Sequence, residues 1–137
     1  MALSHLLDTS VYSQPLKPKP LPSVQERWDA LGDEALAISV ICEAELLYGL
    51  ELRQSRKLQA LYEHLLKDRL FLFPVDAAIV KSFAQIKAAS KRKGHVCADF
   101  DFLIAATARV HRLIVATINY SHFASIDGLA VEDWSKD

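Results

Sequence analysis

Four oxygen-bearing side chains, Asp8, Glu45, Asp101 and Asn119, come from well-separated stretches of a 137-residue chain. Asp8 closes the run Leu3-Ser4-His5-Leu6-Leu7, and Glu45 lies inside Ser39-Val40-Ile41-Cys42-Glu43-Ala44-Glu45-Leu46. Asp101 opens Phe102-Leu103-Ile104-Ala105-Ala106, and Asn119 follows Leu113-Ile114-Val115-Ala116-Thr117. A carboxylate set against a segment that must be buried is costly unless something pairs with it. Carboxylate and amide oxygens suit hard cations, so the residue types point to a magnesium or manganese site assembled by folding. Crowded carboxylates repel, which raises some of their pKa values and leaves the metal-free protein to be tightened by a cation.

Other residues with chemical potential give less. Cys42 and Cys97 form no CxxC pair and are expected to act as small buried hydrophobes, with no zinc site and no disulfide. His5, His64, His95, His111 and His122 show no ligand spacing to one another; His122 is the one nearest the acidic set. Formal net charge is only −1 and gives no hint of a nucleic-acid partner by itself. Its distribution says more, because Lys87, Lys91, Arg92, Lys93 and His95 precede Asp101, and Lys17 and Lys19 sit among prolines after Asp8.

The elements that must position these groups follow from periodicity and punctuation. Leu3 to Leu7 reads as a buried strand, and Gln14 to Pro22, with four prolines, as a stiff, exposed connection. Ser23, with Glu26 three positions on, matches a capping box for a helix to Leu31 that Gly32 ends. Ala35 to Ser39 is expected to be a second strand, followed by helices over Val40 to Gln54 and Ser55 to Lys67. A third strand over Leu70 to Pro74 and a helix from Val75 to Lys93, stopped by Gly94, come next. A helix from about Asp99 to His111, a strand over Leu113 to Thr117 and an edge strand near Leu129 to Glu132 complete the order.

Strands alternating with helices imply an α/β fold: three layers, a central parallel sheet of four to five strands, and helices on both faces. A reversal of strand order would set the ends of strands one and four side by side, where open α/β sheets bind ligands. Asp8 and Asn119 would meet there, with Asp101 delivered by the intervening helix. At this length one domain spanning 1–137 is expected, burying roughly 70% of its unfolded surface. No stretch approaches the roughly 20 apolar residues of a membrane span. The N-terminal apolar run lacks a basic leader, so a cytoplasmic location is expected. With four glycines and no Gly-rich loop, nucleotide cradling by a Walker or dinucleotide loop is not expected.

Taken in order, LLDTSVY at 6–12, AISVICEAELLYGL at 37–50, GHVCADFDFLIAATA at 94–108, LIVATINYSHF at 113–123 and IDGLAVEDW at 126–134 resemble the PIN-domain family, and within it the VapC-type toxin ribonucleases of toxin–antitoxin pairs. The resemblance covers nearly the whole chain. It implies a PIN-like fold and Mg2+- or Mn2+-dependent hydrolysis of RNA phosphodiester bonds in structured RNA such as tRNA or rRNA. By that resemblance Asp8, Glu45 and Asp101 match three acidic metal-site positions, Asn119 a fourth that varies between Asp and Asn, and Asp99 a further acidic one. Thr9 and Thr117 match hydroxyl positions that steady ligands or the attacking water. A VapB-like antitoxin and a second copy of the chain are the implied partners, meeting helices that carry Leu50, Leu58, Leu61 and Leu65.

Each residue also has a plainer role open to it. Asp8 suits a strand end that caps the next turn. Helical spacing does not choose between Glu43 and Glu45; the family pattern chooses Glu45 and leaves Glu43 exposed. Asp99 and Asp101 diverge by about 200° on a regular helix, so Asp99 is either the N-cap or a contributor to the metal site from outside the regular turn. Trp28, Tyr48 and Trp134 suit core or interface packing. Lys17, Lys19, Lys91, Arg92 and Lys93 are the candidates for phosphate contact. Two other functions fit part of the pattern: a phosphoryl-accepting aspartate at Asp8, as in dehalogenase-like phosphatases or receiver domains, and a catalytically silent PIN-like binding module. The first expects a second Asp where Ser10 stands; the second expects a lost carboxylate.

Overall fold

A computed structural model describes residues 2–136. Five strands, β1 (His5–Leu7), β2 (Leu36–Ser39), β3 (Phe71–Phe73), β4 (Ile114–Thr117) and β5 (Val131–Asp133), form one sheet in the order β3-β2-β1-β4-β5. All four pairings are parallel. The chain builds outward from β1 to β2 and β3, then returns to the other side of β1 for β4, so the switch of direction lies between β1 and β4. Leu7 is in register with Ala116 there, which puts the residues following both strands at one end of the sheet, as the alternation of elements predicts.

Every residue of β1 and β2 is buried. Successive side chains of a strand point to opposite faces, so unbroken burial means that both faces of the central strands are covered. Six helices do this: α1 (Thr9–Tyr12), α2 (Pro22–Leu31), α3 (Val40–Arg53), α4 (Arg56–Leu65), α5 (Ala77–Arg92) and α6 (Asp99–His111). Leu6, Leu7, Ile38, Val115 and Ala116 share one core with Ile79 of α5, Ile104 of α6 and the fully buried Trp134. The edge strand β3 differs, leaving Phe71 and Leu72 exposed. No helix among the described residues is long and apolar enough to cross a membrane.

Three local expectations are corrected. The capping box at Ser23 does not form: Pro22 already occupies the first helical turn, Leu21 is the N-cap, and the Ser23 hydroxyl donates to the Trp134 carbonyl at 2.8 Å. The connection over 14–22 is exposed only in part. Gln14 is buried, donates to the Ser10 carbonyl and accepts from the Leu21 amide, so it stitches both ends of the segment together. Glu43 is not a solvated residue; it accepts from the hydroxyls of Tyr62 at 2.8 Å and Tyr12 at 3.2 Å, tying α3 to α4 and α1. Tyr48, in contrast, is 67% exposed, which leaves interface packing as its only apolar use. Cys42 is buried and Cys97 half-buried, neither in a disulfide.

Candidate active site

Asp8 leaves the end of β1 with a backbone N–H donating to Ala116 of β4 at 3.1 Å, and it is only 4% exposed. It caps α1, a four-residue helix that sequence periodicity is too short to reveal, by accepting the Val11 amide on Oδ1 at 3.1 Å. The structural and the chemical roles of Asp8 therefore coexist. Two hydroxyls complete its surroundings, Ser10 on Oδ1 at 2.6 Å and Thr117 on Oδ2 at 2.5 Å.

Those hydroxyls are themselves fixed from the far side of the switch point. Ser10 Oγ accepts the Ile118 amide at 3.2 Å, and Thr117 Oγ1 accepts the Asn119 amide at 2.8 Å. With a lone pair of each hydroxyl occupied by a backbone N–H, each hydroxyl proton is directed to Asp8. Both carboxylate oxygens thus act as acceptors, and the β1 and β4 exits are laced together. Ser10, absent from the expected site residues, belongs to this arrangement as fully as Thr117; no spacing rule marks it, because its second partner is more than a hundred residues away.

Burial pushes the Asp8 pKa upward, against the pull of Ser10, Thr117 and the Val11 amide, and the charge of Asp101 pushes it further. Asp101, in the first turn of α6, is likewise raised by burial, with His122 opposing. Glu45 stands on α3 one turn and a half past the Ser39 cap, half-buried, and accepts from Thr9 Oγ1 at 2.5 Å. The buried Cys42 thiol has its pKa raised first by burial and then by Asp8 and Glu45, although Thr9 lowers it.

Asn119 is exposed, and its backbone N–H, through Thr117, joins the network. Asp99 is not the N-cap: Ala98 holds that position without a side-chain bond, and Asp99, with its side chain 58% exposed, pairs with Lys87 of α5 at 2.8 Å. Among the described residues no three His, Cys, Asp or Glu side chains stand, as oriented, close enough to enclose an ion. Each carboxylate is turned toward a hydrogen-bond donor instead. The donor chemistry nevertheless fits a hard divalent cation. Asp8 and Glu45 have no ion-pair partner among the described residues, and a carboxylate held by hydrogen bonds alone keeps lone pairs and charge that a cation can use.

The basic candidates divide. Lys17 and Arg53 line a groove of about 190 Å3 with Thr9, Glu45, Leu46 and Leu50, which puts positive charge beside the acidic set; Arg53 ends α3 outside any basic cluster, so no sequence pattern marks it. Lys19, Lys91 and Arg92 are exposed. Lys93 is engaged, with Asp127 at 2.9 Å and the Ser125 carbonyl at 3.3 Å.

Comparison with known proteins places this geometry in context. The family model described as "PIN domain" matches residues 5–129. Toxin FitB of Neisseria gonorrhoeae is 37% identical, the alignment covering 94% of this chain and 97% of that protein. The tRNA(fMet)-specific endonuclease VapC of Shigella flexneri is 35% identical over 97% of this chain and 99% of that protein. Among solved structures, DNA-bound VapBC from Salmonella typhimurium superposes with a TM-score of 0.84 at 32% identity, covering 96% of this chain and 98% of that one.

Proposed function

The chain belongs to the PIN-domain family, and from that premise we propose that it is a VapC-type toxin, an endoribonuclease that depends on Mg2+ or Mn2+ and is held in check by a VapB-like antitoxin. The reading is supported by relatives named as toxins and ribonucleases and by solved neighbours that are VapBC complexes. The observation that carries the chemistry is a buried aspartate, Asp8, which has hydroxyls on both oxygens and no cationic side chain beside it, and which feels the charge of Asp101.

Asp8, Asp101 and Glu45 are the residues that would hold the ion, with the Asn119 amide as a neutral fourth contributor. Asp99 joins them only by giving up Lys87. Bound there, a divalent cation would polarise the phosphate and lower the pKa of an attacking water. The chain's own part is orientation. Ser10 and Thr117 fix the plane of Asp8, Thr9 holds Glu45, and the α6 N-terminus adds its dipole beneath Asp101. Lys17, Lys19, Lys91 and Arg92, with Arg53 beside Glu45, neutralise phosphate along the approach, and Lys93 does so only by releasing Asp127. The substrate class is structured RNA, tRNA or rRNA, and the setting cytoplasmic. Exposed Leu47, Tyr48 and Leu52 on α3 supply apolar surface for the antitoxin or for a homodimer.

The aspartate-phosphorylating alternative loses ground at position 10, where a hydroxyl committed to Asp8 takes the place of the second carboxylate that chemistry requires. The decisive experiment is incubation of the purified protein with total tRNA and rRNA, with Mn2+ or with EDTA, followed by mapping of the RNA ends. Discrete cuts are expected with Mn2+ and none with EDTA. Asp101→Asn should lower the rate by more than the roughly 10–100-fold typical of losing an outer partner of a metal ligand. Cleavage that survives EDTA, or that Asp101→Asn leaves intact, would remove the metal mechanism.

A further inference from the structure

The side chain that faces Asp101 is not another carboxylate but the imidazole of His122. His122 ends the 3-10 turn Tyr120–His122 that follows β4, and its Nδ1 lies 3.2 Å from Asp101 Oδ2. The backbone at this point is pinned. The His122 carbonyl accepts from His95 Nε2 at 3.3 Å, Phe123 beyond it is fully buried, and Lys93 anchors the same loop at Ser125 and Asp127. The ring is not pinned: its side chain is 48% exposed, against 21% for Asp101. Here a fixed main chain carries a ring with room to change rotamer.

The three carboxylates are held in different ways. The donors on Asp8 are two hydroxyls locked by backbone amides and the Val11 amide, and the donor on Glu45 is the Thr9 hydroxyl one residue along the chain from Asp8. These are partners that can stay in place while a cation uses the remaining lone pairs. The Nδ1–H of His122 differs, because it sets the positive end of an imidazole dipole against Asp101 from a side chain that is itself half-exposed. That holds in either protonation state that carries the Nδ1 proton.

We propose that His122 is a displaceable occupant of Asp101: its imidazole holds Oδ2 in the metal-free protein and swings to solvent when a divalent cation binds. This rests on the metal-site reading given above. It fits the absence, among the described residues, of three acidic groups enclosing an ion, to which Asp101 contributes by facing its imidazole partner. It also makes cation affinity weaker than the carboxylates alone would set, by the strength of the imidazole–carboxylate contact that the cation must displace.

The test is Mn2+ binding to the full chain, read by electron paramagnetic resonance, together with the imidazole 15N resonances during a Mg2+ titration. His122→Ala should bind Mn2+ on the order of tenfold more tightly than the unaltered protein, as expected for removing one polar contact to a charged group. His122→Asn, whose amide restores a donor near the Nδ1 position, should return the affinity toward the starting value. The His122 signals should move as Mg2+ saturates the unaltered protein and stay still in Asp101→Asn. Unchanged or weaker Mn2+ binding by His122→Ala, or His122 signals that ignore Mg2+, would overturn the proposal while leaving the metal site standing. Failure of the unaltered protein to bind Mn2+, or equal binding by Asp8→Asn, would overturn both readings together.

Discussion

At the scale of single residues, the half-buried thiol of Cys97 reports on the acidic set without taking part in it. Burial raises its pKa to about 11, and the charges of Asp101 and Asp99 add to that. At pH 8 about one thiol in a thousand is then ionised, against roughly a quarter of an ordinary free cysteine, so alkylation should run on the order of a hundredfold slower than for free cysteine. A cation on Asp101 cancels part of the negative field, so Mg2+ should speed the labelling of Cys97, as read by mass spectrometry of the alkylated peptide. Cys42, fully buried, should stay unmodified throughout. A Cys97 rate indifferent to Mg2+ would place the cation away from Asp101. Such neighbourhoods are what a sequence hides at this scale. Asp8 and Asp101 are singled out in the sequence by a carboxylate beside an apolar run together with the family pattern. Ser10 and His122 are not, because their partners, Ile118 and Asp101, come from other segments of the chain.

At the scale of elements, Glu43 shows how tertiary contacts decide what helical spacing leaves open. It lies two positions before Glu45 and takes the hydroxyls of Tyr12 and Tyr62, both of whose pKa values are pushed up, first by burial and then by Glu43 itself. Glu43→Ala strands these two phenols; at the buried Tyr12 the loss is roughly 1–3 kcal/mol, readable as a lower urea midpoint. Glu43→Gln keeps one carbonyl acceptor and should recover most of the loss. Equal loss in both variants would show that charge, not hydrogen bonding, joins these helices. The same contrast explains which elements the sequence discloses. β1, β2 and β4 are short apolar runs covered on both faces, and α3, α5 and α6 are long enough for a period to show. α1 spans four residues and is held by the Asp8 cap, too short for any period, and the capping box at Ser23 fails because Pro22 starts the helix earlier. β3 is legible in sequence but not in role: its exposed Phe71 and Leu72 read like core.

At the scale of the whole molecule, the acidic set should make stability depend on pH and on cation together. Asp8 and Asp101 have folded-state pKa values raised above the ordinary 3.8. Between 3.8 and those raised values the folded protein binds more protons than the unfolded chain, so metal-free stability falls as pH rises through that window, and the deficit is complete above it. Asp33, Glu132 and Asp133 act oppositely and lower down: their folded pKa values are depressed, and the stability they add is lost as pH falls through those depressed values. The metal-free protein should therefore melt highest in mildly acidic solution, and the difference between it and Asp101→Asn should narrow as acid protonates the carboxyl. Mg2+ inverts the slope, because it binds the ionised form and competes with protons. At about a hundred times its dissociation constant it adds about 2.7 kcal/mol, a rise in Tm on the order of 10 °C for a chain of this length. Calorimetry at pH 5 and pH 7.5, with and without Mg2+, reads both effects at once. The gain should be larger at pH 7.5 and absent in Asp101→Asn; a gain that persists in that variant would mean that the cation stabilises some other part of the fold.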